Sequence, residues 1–437
     1  MNNILENLNE KQKEAVITTD GPVMAIAGAG SGKTSVLTKR IAYLIYEKNV
    51  HYQNILALTF TNKAANEMKQ RVRDITGINT RDMWISTFHS MCSKILRQHI
   101  ELLGYKKSFQ IIDDDDTLQM VKSVMKKANF DIKLFNPKNV RSYILKMKFD
   151  DELVESVEEP LKTILNVVFP IYQKNLFKNN LLDFEDLIIL TIKLLKENPQ
   201  VKEYYQKVFE YVLVDEFQDT NDIQYELIKL LVNKNNNLFI VGDEDQSIYA
   251  FRGANIQNIY KFKKDFPGFH LVILEENYRS TNTILKAANQ IIKHNSNRIP
   301  KNLFSTRGEG ELITHYKGVT SRDEVEYVAL KVIELVRKGY SYSDFAVLYR
   351  ANSTSRTFEE VFMQKQIPYK IFGNTSFFKR KEIKDFTAYL RLIVNPEDDY
   401  SFVRVVNEPR RGIGAKTLEL MANYATDNNL NFMETID

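Results

Sequence analysis

The chain has 437 residues, enough for about two to four domains, and its 43% hydrophobic and 27% charged composition is that of a globular protein rather than a disordered one. One cysteine excludes an internal disulfide framework and a cysteine-built metal cluster, and six scattered histidines do not make a metal site. Sixty basic residues against 56 acidic ones leave a net charge of +4, which permits an anionic partner without demanding one.

The opening Met1-Asn2-Asn3-Ile4-Leu5-Glu6 does not read as a signal peptide, and no apolar run reaches membrane-spanning length. A cytoplasmic location with no membrane partner is therefore expected. Leu8–Gln12 opens a short amphipathic helix. Gln12 alone reads as a surface residue, although an amide offers the donor and acceptor that adenine needs. The apolar run Val23–Ile26 then leads into Ala27-Gly28-Ala29-Gly30-Ser31-Gly32-Lys33-Thr34, and a helical pattern starts at Ser35. Strand, glycine loop and helix in that order make a phosphate cradle. Backbone N–H groups converge on one anion, and the helix N-terminus adds partial positive charge. Lys33 can reach the β- and γ-phosphates, and the Thr34 hydroxyl can ligate Mg²⁺. The strict pattern has glycine six residues before Lys33; this chain has Ala27.

Ile55–Leu58 reads as a second strand, running into Thr59-Phe60-Thr61-Asn62-Lys63. Hydroxyls and Lys suit phosphates and Phe60 offers a stacking face, while Thr61 or Asn62 also suits a helix cap. Trp84–Ser90 repeats the theme; His89 taken alone reads as structural, and Cys92 as a buried small residue. Residues 110–180 carry no strand-like run and read as an all-helical insertion, with Asp113–Asp116 as N-terminal capping. Tyr211–Val214 is a buried strand ending in Asp215-Glu216, one carboxylate for a Mg²⁺ shell and a neighbour to activate water. Leu238–Val241 is another, followed by Gln246, a candidate γ-phosphate contact, and by Tyr249, Phe251 and Arg252. Two aromatics and an Arg can stack on single-stranded bases; in isolation, core packing is the simpler reading. Leu271–Leu274 precedes Tyr278, a candidate platform for an adenine ring, and Arg279, a candidate arginine finger. Phe345–Tyr349 is read as a further strand before Arg350. Polar groups delivered at the carboxyl ends of many apolar runs predict a parallel α/β sheet.

With these motifs in order, the chain resembles the UvrD/Rep/PcrA group of superfamily 1A DNA helicases from Leu8 onwards. The resemblance rests on Gln12, AGAGSGKT at 27–34, LTFTNKAA at 58–65, STFHS at 86–90 and LDFEDL at 182–187. It continues through VDEFQDT at 214–220, GDEDQSIYAFRGA at 242–254 and LEENYRS at 274–280. It implies a RecA-like P-loop motor lobe, a parallel sheet with helices on both faces, from residues 1–109 and 183–275. Residues 110–182 would be a helical insertion, 276–378 a partial second RecA-like lobe and 379–437 the start of a second helical insertion. Gln12 would read adenine, and Ala27, Gly28, Ala29, Gly30, Ser31, Gly32, Lys33, Thr34 and Ser35 would hold the phosphates. Thr34 and Asp215 would hold Mg²⁺, with Glu216 as general base and Gln246 sensing the γ-phosphate. Tyr278 would stack on the base and Arg279 would close on the nucleotide. Phe60, Thr61, Asn62, His89, Tyr249, Phe251 and Arg252 would follow single-stranded DNA.

The function so implied is ATP-dependent 3′-to-5′ translocation and unwinding at single-strand/duplex junctions, in replication or repair and with accessory proteins as partners. Two departures stand out. The family usually has Trp where this chain has Phe251. The chain also ends at Asp437 inside the second insertion, without the distal coupling motif or second arginine finger. Binding of ATP·Mg²⁺ and DNA, weak DNA-stimulated hydrolysis and little unwinding are therefore expected. Two rivals stay open: a non-motor ATP- and DNA-binding module that regulates a full-length helicase, and a P-loop ATPase indifferent to DNA.

Overall fold

In the computed structural model, the strands are β1 (Val23–Ala27), β2 (Ile55–Thr59), β3 (Trp84–Thr87), β4 (Gln110–Ile111), β5 (Leu181–Leu182), β6 (Tyr211–Val214), β7 (Leu238–Gly242) and β8 (His270–Leu274). The six longer ones make one parallel sheet in the order β3-β2-β6-β7-β1-β8. Alternate residues of each strand point to opposite faces. Met24, Ile26, Leu56, Leu58, Val212, Val214 and Ile240 enter one core. Val23, Ala25, Ile55, Ala57, Leu213, Phe239 and Val241 enter the other. Both faces are thus covered by helices, which is why these strands are unbroken apolar runs. All six carboxyl ends lie along one edge, where an open parallel sheet builds its site.

The structure describes residues 4–150, 152–295, 298–372, 381–428 and 430–436. Phe378–Arg380, where the second insertion was expected to begin, and Met1–Asn3 lie outside these. The chain divides into two compact units, Met1–Glu311 and Leu312–Asp437. Residues 276–311, expected in a second lobe, thus fall within the first unit. They are bound there by backbone: Tyr278 N–H donates to Gly30 O at 2.9 Å and Phe304 N–H to Glu275 O at 3.3 Å.

The insertion consists mainly of the helices Asp114–Lys127, Pro137–Met147 and Leu161–Lys178. Asp113 caps the first, accepting from the N–H groups of Asp115 and Asp116. The expectation of no strand here needs correction: β4 pairs with β5 in parallel at the foot of the insertion. Two-residue strands are too short to show any period. A buried knot fixes the same region to the sheet domain. Lys148 Nζ, with its side chain fully buried, bridges Asp183 and Asp186, and the Tyr172 hydroxyl donates to Asp183 at 2.7 Å.

In the second unit, the helices Ser321–Arg337 and Ser355–Gln364 enclose a small core of Val325, Ala329, Val332, Val361, Phe362 and Ile367. The predicted strand at Phe345–Tyr349 is not one, and no strand occurs among the described residues of this unit. Leu348 is 95% exposed. An apolar run becomes a strand only where a neighbouring backbone completes its ladder.

Candidate nucleotide and nucleic-acid site

The phosphate loop leaves β1 and enters the helix Lys33–Tyr46. Ala27 still belongs to β1 and is fully buried in its core, so the missing glycine lies on the strand side of the loop. Gly30 and Gly32 have φ of +69° and +87°, a region that favours glycine. The Ser31 hydroxyl donates back to Gly28 O at 2.7 Å and braces the loop from inside. The neighbouring segment presses on this loop. A Cβ at Gly28 would lie 2.1 Å from Leu303 Cδ2, and one at Gly30 would lie 2.7 Å from the Asn277 amide. Asn277 also donates to Ala29 O. Thr34 and Ser35, in the first helical turn, are half-buried.

Asp215 and Glu216 follow β6. Asp215 N–H is fixed by Leu58 O at 2.8 Å, and its carboxyl is pushed up to about 7 by burial and by Glu216, against the pull of Lys33. Lys33 Nζ lies 3.4 Å from Glu216 Oε2. Glu216 sits at φ +48°, ψ +46°, a left-handed conformation that costs a non-glycine residue about 1 kcal/mol or more and is concentrated at functional sites. Asp219 is pushed up to about 6 by burial and by Glu216, and its Oδ1 is buried without a partner among the described residues. Among the described residues no group of three or more His, Cys, Asp or Glu could hold a metal by itself. Mg²⁺ does not need one: it takes one or two protein oxygens and completes its shell with phosphates and water. The hard oxygens of Thr34 and the crowded Asp215 carboxyl fit that role.

The remaining nucleotide candidates gather nearby. Gln12 is buried, and both ends of its amide are engaged: Nε2 donates to Ser31 O at 2.8 Å and Oε1 accepts from Asn9 N–H at 3.1 Å. Reading adenine requires it to release a partner. Tyr278 is exposed, and its hydroxyl donates to Glu276 at 2.8 Å and accepts from Asn9 at 2.8 Å. Arg279 is also exposed; Arg307 holds the carbonyls of Tyr278 and Arg279 at 3.2 and 2.7 Å. Gln246 points from the loop after β7 and donates to Asp243.

At the same sheet edge, the Phe60 ring stacks on Tyr249 at 5.2 Å, and Tyr249 lies 6.1 Å from Phe251. The Arg252 guanidinium lies over both Tyr249 and Phe251, at 5.0 and 5.5 Å. Phe251 is 72% exposed, so core packing does not account for it. Thr61 caps the helix Asn62–Thr76, and the Asn62 carboxamide accepts from Thr87 and Ser90, joining the two hydroxyl-rich motifs. Burial lowers the His89 imidazole below its ordinary value, and Phe184 meets it edge-on at 5.9 Å. Phe184 is exposed and was not singled out from the sequence. Its signal was available: an aromatic at the first position of a helix, where its LDFEDL neighbours are capping acids.

Residues 8–267 match the model of the UvrD/REP helicase N-terminal domain, and residues 272–437 that of the UvrD-like helicase C-terminal domain. The chain is 51% identical to the ATP-dependent DNA helicase PcrA of Bacillus subtilis. It is 48% identical to PcrA of Staphylococcus epidermidis and 47% identical to PcrA of Staphylococcus aureus. Each match covers 100% of this chain and 60% of the relative. With the phosphate loop, the paired acids and the aromatic edge on one sheet, the chain belongs to the UvrD/Rep family of helicases, in its PcrA-type branch.

Proposed function

We propose that this chain binds ATP·Mg²⁺ and single-stranded DNA and hydrolyses ATP in response to DNA. The activity it serves is 3′-to-5′ translocation, with unwinding at single-strand/duplex junctions. The observation that carries the reading is the ion pair of Lys33 with Glu216, beside the buried Asp215. Phosphate arriving in the loop competes for the Lys33 ammonium. Glu216 is then free to orient water and accept its proton. Mg²⁺, held by Thr34 and Asp215, would neutralise charge on the phosphate oxygens. Arg279, whose backbone is held by Arg307 and Asn277 beside Gly30, would supply a cation to the nucleotide. Phe60, Tyr249, Phe251 and Arg252 offer faces to bases whatever their sequence. Unwinding is carried over from the likeness to proteins named ATP-dependent DNA helicase, and the 3′-to-5′ polarity is what the resemblance to the UvrD/Rep/PcrA group implies. The proposal puts the chain in the cytoplasm, with accessory replication or repair proteins as partners; no described helix is long and apolar enough to cross a membrane.

Phosphate release measured with and without oligo-dT tests the reading. Turnover should rise with DNA and be abolished by Glu216→Gln, with nucleotide affinity kept within about twofold. Turnover indifferent to DNA, or persisting in Glu216→Gln, would overturn it.

A further inference from the structure

We propose that Gln218 is a positioning residue. It ties the water-activating carboxylate of Glu216 to the loop that carries Gln246, and Lys301 is the buried counter-ion that holds this loop in register. The inference rests on the hydrolytic reading above.

Gln218 lies in the turn after β6 and is only 1% exposed. Its Nε2 donates to Glu216 Oε2 at 3.0 Å and to Asp219 Oδ2 at 3.3 Å. Its Oε1 accepts from the backbone N–H of Asp243, after β7, at 2.9 Å. That backbone donor fixes the orientation of the amide, because only the oxygen can accept from it. A satisfied buried amide is ordinary in itself. This one instead spends its bonds on two acids of the hydrolytic turn and on the first residue of a second loop. The preceding residue makes room for it: a Cβ on Gly242 would lie 2.7 Å from Gln218 Oε1.

From Asp243 the connection runs on in two directions. Asp243 Oδ2 accepts from Gln246, three residues before Tyr249, whose ring stacks on Phe60. Asp243 Oδ1 lies 2.9 Å from Lys301 Nζ, which also meets Glu244 at 2.8 Å and Asp245 at 2.7 Å with its side chain 1% exposed. Arg298 grips Asp245 with two nitrogens, at 3.0 and 2.7 Å. One strap, residues 298–304, thus carries Lys301 into the sensor loop and Leu303 onto the phosphate loop. Its Asn302 N–H also donates to Glu275 Oε1 at 2.7 Å. A base stacking at Tyr249 pulls on a loop whose only side-chain link to Glu216 among the described contacts is the Gln218 amide. Moving that loop re-aims the carboxylate.

The test uses the 437-residue chain with Gln218→Met, close to isosteric but unable to make these bonds, and Gln218→Glu, which keeps an acceptor for Asp243 N–H and removes the donor to Glu216. Folding is checked by circular dichroism. DNA-stimulated kcat should fall about tenfold or more in both variants while KM for ATP stays within about twofold. A second readout needs no turnover: affinity for a fluorescent β,γ-imido ATP analogue with Mg²⁺, with and without oligo-dT. Oligo-dT should shift wild-type affinity several-fold, and the shift should vanish in both variants. DNA-stimulated kcat within twofold of wild type in Gln218→Met overturns the inference, as does a DNA-induced affinity shift that is absent from wild type or unchanged in the variants. Wild-type hydrolysis indifferent to DNA overturns the functional reading instead, and the binding arm then still decides on Gln218.

Discussion

Lys148→Met removes the cation that compensates two buried carboxylates. The Lys148 side chain is 0% exposed, and those of Asp183 and Asp186 are 1% and 6%. Met keeps the aliphatic volume, so the loss is electrostatic rather than a cavity. Breaking a buried pair by removing one partner costs about 3–5 kcal/mol, because the remaining charge is uncompensated. At roughly 2–4 °C per kcal/mol for large domains, melting should fall by on the order of 10 °C. The loss must also depend on pH. Burial already holds the Asp186 carboxyl above its ordinary range, with Lys148 pulling it back. Without Lys148 the carboxyl rises further. An acid whose folded pKa lies above its unfolded value favours folding when protonated, and that advantage is lost as pH rises through the folded value. The deficit of Lys148→Met should therefore be largest at pH 8 and shrink toward pH 5, read by differential scanning calorimetry. A loss below about 1 kcal/mol at pH 8, or one equal at both pH values, would refute the reasoning.

Two further outcomes can be measured directly. Phe251→Ala should weaken oligo-dT binding by about 1–3 kcal/mol, and Phe251→Trp should strengthen it, read by fluorescence anisotropy; an unchanged Kd in Phe251→Ala would remove Phe251 from the DNA path. Burial and the Asp183 charge push Glu185 from an ordinary 4.5 up to about 7, so its ionisation opposes folding as pH rises through that window. Glu185→Gln should raise stability by about 1 kcal/mol at pH 8, after discounting for a half-buried group, and by nothing at pH 4.5. Equal melting at pH 8 would exclude the shift.

The four inner strands of the sheet were legible because each is buried on both faces and so appears as four or five consecutive apolar residues. The phosphate loop, the Asp215-Glu216 pair and the Tyr249–Arg252 aromatics were legible because each motif is contiguous, and its chemistry follows from neighbours in the chain. What escaped is what depends on partners far away in sequence. Phe345–Tyr349 has the composition of a strand and no described ladder. Gln110–Ile111 lacks the length of one but pairs with Leu181–Leu182, about seventy positions on. Gln218 reads as one more polar residue in an acidic turn until β7 brings Asp243 to it. Lys301 reads as a surface lysine until three carboxylates close around it. The sequence by itself determined which groups this protein offers at the carboxyl edge of its sheet, since side-chain chemistry and local period are written in consecutive residues. Only the tertiary structure decided which of those groups hold one another in place, because hydrogen bonds and buried ion pairs depend on distances that folding sets between remote segments.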